Sequence, residues 1–190
     1  MYIKIFTSLR VLIVLFLTAI NCYAENANQP SVNFLKEKGF VSCLTDHEAM
    51  EAFIDKDGGA AYLHLWNQVT PNNHMATSII SKQFKDGESI ATITTSPTIE
   101  GGCDSTYTQA FTFTETCPKL RETVFKEWKF YENLGNTPTY EDPTSSNVTV
   151  ILIQAGNSCL AIKNGTFFFP RKDSSSQVTP PKNVQAGELE

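Results

Sequence analysis

The sequence has fewer basic residues than acidic ones. Its 190 residues include 15 Lys and Arg against 20 Asp and Glu, which gives a formal net charge of −5 at pH 7. An acidic chain repels phosphate backbones and anionic lipid surfaces. The composition therefore argues against a nucleic-acid partner and against stable membrane association.

Long hydrophobic runs are missing after the first 24 residues. Within those residues, Lys4 and Arg10 precede an apolar stretch over residues 11–20. That stretch is shorter than the roughly 20 residues that a membrane-spanning helix needs. A basic segment, a short apolar segment and a small residue at Ala24 are typical of a cleaved signal peptide over residues 1–24. We therefore expect a periplasmic or extracellular protein.

Metal-binding cysteine motifs are also missing. No C-x-x-C spacing occurs, and the three histidines lie apart in the chain, so we expect neither a metal site nor a cofactor. The exported chain would keep four cysteines, and an even number in an oxidising compartment indicates two disulfides. These cysteines are Cys43, Cys103, Cys117 and Cys159.

The disulfide pairing is restricted by the segment between Cys103 and Cys117. Residues 106–116 alternate threonine with aromatic residues and predict a strand. A strand rises about 3.3 Å per residue, so its eleven residues hold the two cysteines roughly 36 Å apart. A disulfide needs Cα atoms within about 7 Å, so Cys103 and Cys117 are not expected to pair. Two pairings stay open, 43–103 with 117–159 and 43–117 with 103–159.

Hydrophobic periodicity predicts two helices and seven strands. The first helix covers residues 45–54. A second begins after Pro118, with Leu120, Val124, Trp128 and Tyr131 at helical spacing, and stops at Gly135. A polar loop is expected over residues 136–147, and Asn164-Gly165 indicates a hairpin turn. The predicted strands are 60–69, 76–84, 88–95, 106–116, 148–154, 159–163 and 166–169.

This order, α-β-β-β-β-α-β-β-β, favours an α+β fold in which two helices pack on one face of an antiparallel sheet, stapled by disulfides. We expect a polar leader over residues 25–33, a single domain over 34–169 and a disordered tail over 170–190. The sequence shows no internal repeat.

The sequence of residues 106–116 predicts a strand with one aromatic face and one threonine face. Tyr107, Phe111 and Phe113 would face the helices, while the threonines would face water, as would Thr92 and Thr94 on the preceding strand. Threonine suits a half-exposed strand in any case. The alternative is that the threonine face is a flat recognition surface for a partner protein or a glycan.

A second candidate site lies in the strand that contains Tyr62, His64 and Trp66, which share one face. A histidine among aromatic residues can act as a general base or line a ligand pocket, although a packed structural histidine is the commoner case. His47, in the first turn of the first helix, is expected to be exposed. No carboxylate or nucleophile stands at a diagnostic spacing from any histidine, so no catalytic residue is predicted.

A third candidate is the segment Tyr140, Glu141 and Asp142, which is acidic and aromatic within the predicted loop. These features favour an exported, non-catalytic domain that binds another protein, as an inhibitor or an immunity-type factor. One alternative is a binder of an apolar or aromatic small molecule, with a pocket between helix and sheet near Trp66 and Trp128. Another is a small hydrolase that uses His64.

We predict that the exported protein begins at or near Glu25, because Ala24 is the small residue that ends the signal-peptide pattern. Cleavage there leaves 13 basic and 20 acidic residues, a net charge of −7. Intact-mass measurement of the exported protein checks this. A retained Met1, or a diacylglycerol on Cys22, would contradict it.

Overall fold

The computed structural model describes residues 31–84 and 87–170, with the backbone alone for residues 31 and 32. The expected signal peptide, the leader up to residue 30 and the tail from residue 171 lie outside the described residues. Among the described residues, no helix is both long and apolar enough to cross a membrane.

The described chain contains three α-helices, one short 3-10 turn and eight strands. The helices are α1 (Ser31–Glu37), α2 (Leu44–Ile54) and α3 (Cys117–Glu122), and the 3-10 turn is Pro71–Asn73. The strands are β1 (Ala61–Trp66), β2 (Ala76–Phe84), β3 (Gly87–Pro97), β4 (Cys103–Phe113), β5 (Lys129–Leu134), β6 (Thr137–Asp142), β7 (Ser145–Ala155) and β8 (Ser158–Phe169).

All eight strands form one antiparallel sheet in the order β1-β2-β3-β4-β8-β7-β6-β5. The α+β class and the antiparallel sheet are therefore confirmed. The predicted element order is not, because the described chain has an additional helix before α2 and eight strands instead of seven.

The chain builds one arrangement twice. In the first half α2 precedes the meander β1–β4, and in the second α3 precedes the meander β5–β8. Each helix lies against the third and fourth strands of its own half. The halves meet where β4 pairs with β8, so the sheet is continuous.

The disulfides follow this repetition. Cys43 bonds Cys103 with their Cα atoms 5.9 Å apart, and Cys117 bonds Cys159 with their Cα atoms 4.9 Å apart. Each bridge joins the start of a helix to the start of the fourth strand in the same half. This selects the first of the two open pairings and confirms that Cys103 and Cys117 do not bond to each other.

The strand faces are as predicted along most of β4. Tyr107 is fully buried, whereas Thr106, Thr108 and Thr112 are exposed. The helix-side face, which we call the inner face, carries the main hydrophobic core. A smaller core lies beneath α1 and the first disulfide, formed by Leu35, Phe40, Cys43, Ala76 and Cys103.

The second helix is much shorter than its predicted span to Gly135, because it ends at Glu122 and the helical spacing of residues 124–131 does not correspond to a helix. The Arg121 guanidinium donates to the carbonyl oxygens of Phe125 (2.6 Å) and Trp128 (2.9 Å). A continued helix would use those carbonyls for its own backbone bonds. The chain then enters β5, and Gly135, with φ of +63°, forms the hairpin turn to β6.

The expected loop over residues 136–147 is also wrong, since it contains β6 and the start of β7. A short turn joins these strands. Its geometry is held by Asp142, whose Oδ1 accepts hydrogen bonds from the backbone N–H (2.8 Å) and the hydroxyl (2.6 Å) of Thr144. Of the residues in the predicted loop, 136, 143 and 144 are the ones that lie outside the strands.

Asn164-Gly165 is not a hairpin turn, because β8 runs without interruption through it. The glycine has a different role there. A Cβ atom at Gly165 would lie 2.3 Å from Cε1 of Tyr107, the residue opposite on β4. Glycine is needed at this point of the strand because the buried tyrosine ring lies against its backbone.

We predict that Gly165→Ala lowers the free energy of unfolding by about 1–3 kcal/mol, since the buried Tyr107 ring has to move. The matched control is Gly87→Ala in β3, whose added Cβ would come no nearer than 3.4 Å to Thr112 O. That control should change the free energy by no more than about 0.5 kcal/mol. Urea denaturation measures both. Equal effects at the two positions would contradict the steric account.

Candidate functional site

The sheet has an outer face opposite the described helices. α1, α2 and α3 all contact side chains of the inner face, through Phe34 against His64, His47 against Thr95, and the Cys117–Cys159 bond. The outer face is therefore the side of the sheet that the described helices leave open.

Threonines occupy one row of the outer face. Strand register places Thr77, Thr94, Thr106 and Thr166 side by side across β2, β3, β4 and β8. The hydroxyls of Thr77 and Thr94 lie 3.0 Å apart, within hydrogen-bond distance. The predicted threonine face thus extends over four strands.

An apolar row, which no sequence pattern predicted, runs beside the threonines. It consists of Ile90, Ala110, Ile162 and Ile151, which are paired across β3, β4, β8 and β7. Ile153 and Leu160 form the next pair along β7 and β8. Ile90 is 52% exposed and Ile153 38% exposed, so apolar surface is open to solvent in the middle of the sheet.

The charged side chains of the outer face are acidic on the seven strands other than β5. Among the described residues that strand register places on the outer face of these seven strands, none is basic and three are acidic: Glu88, Asp104 and Glu141. They lie around the apolar row and not within it. On these seven strands the outer face therefore combines an apolar centre with acidic side chains away from it, while Lys129 of β5 lies opposite Glu141.

The inner face carries a buried polar cluster that we call the histidine cluster: His47, Glu51, His64 and Ser78. The Ser78 hydroxyl lies 2.7 Å from His47 Nε2 and 2.8 Å from His64 Nδ1, and it donates to Glu51 Oε1 at 2.5 Å. The four side chains come from α2, β1 and β2. The structure thus supplies a carboxylate near His64 that the sequence did not identify.

His47 is completely buried, which corrects the expectation that it is exposed. Its Nδ1 lies 3.0 Å from Thr95 Oγ1, which in turn is 2.8 Å from Ser105 Oγ. His47 and Glu51 stand four residues apart on one helix face. That i, i+4 pair was the signal available in the sequence, whereas the proximity of His64 required the fold.

His64 is enclosed on both sides. Its ring stacks on Phe34 of α1 at 5.2 Å and on Tyr62 at 6.0 Å between ring centroids. Burial lowers the pKa of His64, and the Glu51 carboxylate acts in the opposite direction. Trp66 packs edge-on against Phe34.

The Tyr62 hydroxyl is held by Asp55, the residue that follows α2. The hydroxyl donates to Asp55 Oδ2 at 3.0 Å, while Lys82 Nζ pairs with Asp55 Oδ1 at 2.7 Å. Burial, together with the hydrogen bond to Asp55, raises the pKa of Tyr62.

The segment predicted as a contact loop does not form one surface. Tyr140 lies on the inner side of β6, beneath the Arg121 guanidinium at 4.8 Å from its ring centroid. Asp142 is buried in the turn to β7. Glu141 is the member of the three that lies on the outer face.

A second polar group lies in the main core near Trp128. Lys163 Nζ lies 5.5 Å from the Phe53 ring and 5.7 Å from the Trp128 ring. Burial lowers the pKa of Lys163, and burial raises that of Tyr107, with Asp142 raising both. Among the described residues, the Tyr107 hydroxyl has no hydrogen-bond partner.

Comparison of this chain with protein-family models, with curated proteins and with solved structures found no match.

We predict that Tyr107→Phe raises the free energy of unfolding by about 1 kcal/mol, because it removes a buried hydroxyl that lacks a partner. The matched control Tyr62→Phe should lower it by about 1 kcal/mol, since that hydroxyl donates to Asp55. Chemical denaturation of both variants checks the opposite signs. A loss of stability in Tyr107→Phe would mean that this hydroxyl is hydrogen-bonded in solution.

Proposed function

We propose that this chain is an exported, non-catalytic domain that binds another protein through the outer face of its sheet. The observation that carries the proposal is the solvent-exposed apolar row across β3, β4, β8 and β7. Exposed apolar patches with polar surroundings mark interaction surfaces. The two disulfides are compatible with an oxidising, exported location.

The side chains of the outer face indicate which kinds of side chain a partner would present to it. Glu88 and Glu141 lie one strand position from the apolar row, and Asp104 lies beyond the threonines, so a complementary surface has an apolar patch with Lys and Arg nearby. Opposite charge accelerates encounter, while apolar contact supplies most of the affinity. An acidic inhibitor or immunity-type factor acting on a basic target fits this description.

Stoichiometric binding also agrees with the burial of the polar side chains. The side chains of His47, Glu51 and His64 are between 1% and 7% exposed, so a substrate cannot reach them in this conformation. The hydrolase alternative now has a carboxylate near His64, but access is missing. Loss of a measured activity in a folded His64→Ala variant would revive that alternative.

A specific observation favours the other alternative, a binder of an apolar or aromatic small molecule. Lys163 Nζ lies beside the rings of Phe53 and Trp128. The Tyr107 ring, whose hydroxyl has no partner among the described residues, packs 5.5 Å from the Phe53 ring between centroids. A buried polar group without a partner indicates an ordered water or a ligand. The ligand would carry a hydrogen-bond acceptor for Tyr107. Fluorescence of a Trp66→Phe variant, in which Trp128 is the remaining tryptophan, would report its binding.

We predict that Ile90→Lys weakens binding of the captured partner at least about tenfold, because it places a positive charge in the apolar row opposite a basic surface. The matched control Ile99→Lys changes a fully exposed isoleucine in the turn between β3 and β4 and should bind normally. Immobilised mature protein would capture the partner from the native extracellular or periplasmic extract, followed by mass spectrometry and titration of the purified partner.

Support requires a basic partner whose binding weakens with salt and depends on Ile90 but not on Ile99. A partner that binds Ile90→Lys normally would exclude the outer face. Sedimentation of the protein as a dimer that Ile90→Lys dissociates would show that a second copy covers the face instead. Turnover of a substrate, abolished by one histidine or carboxylate substitution, would overturn the non-catalytic function itself.

A further inference from the structure

The histidine cluster brings together two imidazoles and one carboxylate from distant parts of the chain. One ligand atom from each of His47, Glu51 and His64 lies within 4.8 Å of the others. We propose that these three residues bind a single zinc-like divalent cation, which joins α2 to the edge strand β1. This inference is independent of the outer face and of any partner that binds there.

The separations between the ligand atoms are close to those of tetrahedral coordination, and one of them matches it. With zinc–ligand bonds of about 2.0–2.1 Å, neighbouring ligand atoms of a tetrahedron lie about 3.3–3.4 Å apart. His47 Nε2 and Glu51 Oε1 are 3.3 Å apart, and His64 Nδ1 and Glu51 Oε1 are 3.9 Å apart. His47 Nε2 and His64 Nδ1 lie within 4.8 Å of each other, so His64 has to move toward both His47 and Glu51 to complete the geometry.

The Ser78 hydroxyl marks where the ion would sit. Its oxygen is 2.5–2.8 Å from all three ligand atoms, which makes it the common neighbour of the set. The ion and the hydroxyl cannot share that position, so binding requires rotation of Ser78 about χ1. The hydroxyl therefore competes with the cation for the three ligands.

The surroundings hold the ligands in place as outer-shell groups do in metal sites. Thr95 Oγ1 lies 3.0 Å from Nδ1 of His47 and is itself 2.8 Å from Ser105 Oγ, which fixes the ring and leaves Nε2 toward the cluster. Stacking on Phe34 and Tyr62 fixes the ring of His64. The helix fixes Glu51 relative to His47.

Charge also favours a cation. With both imidazoles neutral, the three ligands carry one negative charge, and all three side chains are at most 7% exposed. A buried carboxylate has to be paired and hydrogen-bonded, and a bound cation would take over the role that the Ser78 hydroxyl and His47 have beside Glu51 in its absence. Two imidazoles and a carboxylate form a borderline donor set that suits Zn²⁺ better than Mg²⁺ or Ca²⁺, which prefer oxygen ligands.

The burial of the ligands indicates a structural site and not a catalytic one. The three protein ligands leave the fourth tetrahedral position to water. Phe34 of α1 covers His64 and all three ligands are buried, so a substrate does not reach that position as it would in a catalytic site. Bound zinc would therefore stabilise the first half of the fold by linking α2 to β1, and we expect it to raise the unfolding temperature.

The test is zinc binding by the purified mature protein after removal of metal with a chelator. We expect calorimetric titration with zinc chloride to give one ion per chain and an unfolding temperature that rises with zinc concentration. His64→Gln should weaken binding at least about 100-fold, since losing one of three ligands exceeds the loss of an outer-shell partner. His74→Gln is the matched control, because His74 is the remaining histidine and is exposed in the turn after Pro71–Asn73.

Two further measurements cover a His64→Gln variant that fails to fold. Co²⁺ added to the unaltered protein should give the intense visible absorption of tetrahedral coordination. Ser78→Ala should bind zinc at least as tightly as the unaltered protein, because its hydroxyl competes for the ligands. Absence of zinc binding, equal loss in His64→Gln and His74→Gln, or octahedral Co²⁺ spectra would each overturn the proposal.

Discussion

The pairing of β4 with β8 is the contact on which the rest of this structure depends. It joins two helix-and-meander halves into one sheet through eleven consecutive residue pairs, from Cys103 opposite Phe169 to Phe113 opposite Cys159. The two disulfides end at opposite ends of this strand pair, and Tyr107 lies against Gly165 near its middle. Because each bridge closes within its own half, β4–β8 pairing and the shared core carry the connection between the halves.

This arrangement separates the two faces of the sheet. The helices of both halves cover part of the inner face, and the polar groups of His47, Glu51, His64 and Ser78 satisfy one another there. The Tyr107 hydroxyl on the same face has no partner among the described residues. The outer face has no such cover among the described residues and keeps apolar surface in contact with water. A recognition surface and a buried polar cluster thus follow from one topology, and they would serve different purposes: contact with a partner on one side and support of α2 on the other.

The two halves are alike in topology but differ in chemistry. His47 stands four residues after Cys43, and Arg121 stands four residues after Cys117. The histidine enters a buried cluster with two strands, whereas the guanidinium binds the carbonyls of Phe125 and Trp128 and ends its helix early. The residue four positions after the first cysteine of each bridge therefore has a different role in each half. In the first half it contributes to a candidate metal site, and in the second it binds backbone carbonyls beyond the end of the helix.

The local sequence pattern was sufficient to predict α2, the first four strands and the burial of Tyr107. Hydrophobic periodicity and turn residues reflect interactions between residues that are close in the chain. The local pattern also excluded a Cys103–Cys117 bond, since a continuous strand sets that distance by itself. The helical period failed after Glu122, where Phe125 and Trp128 reach the core without a helix. The turn signal failed at Gly165, where a ring on another strand leaves no room for a side chain. The disulfide pairing, the meeting of His64 with His47 and Glu51, and the apolar row of the outer face depend on which strands become neighbours. Strand order is set by long-range pairing and shared burial, and only the tertiary structure decides it.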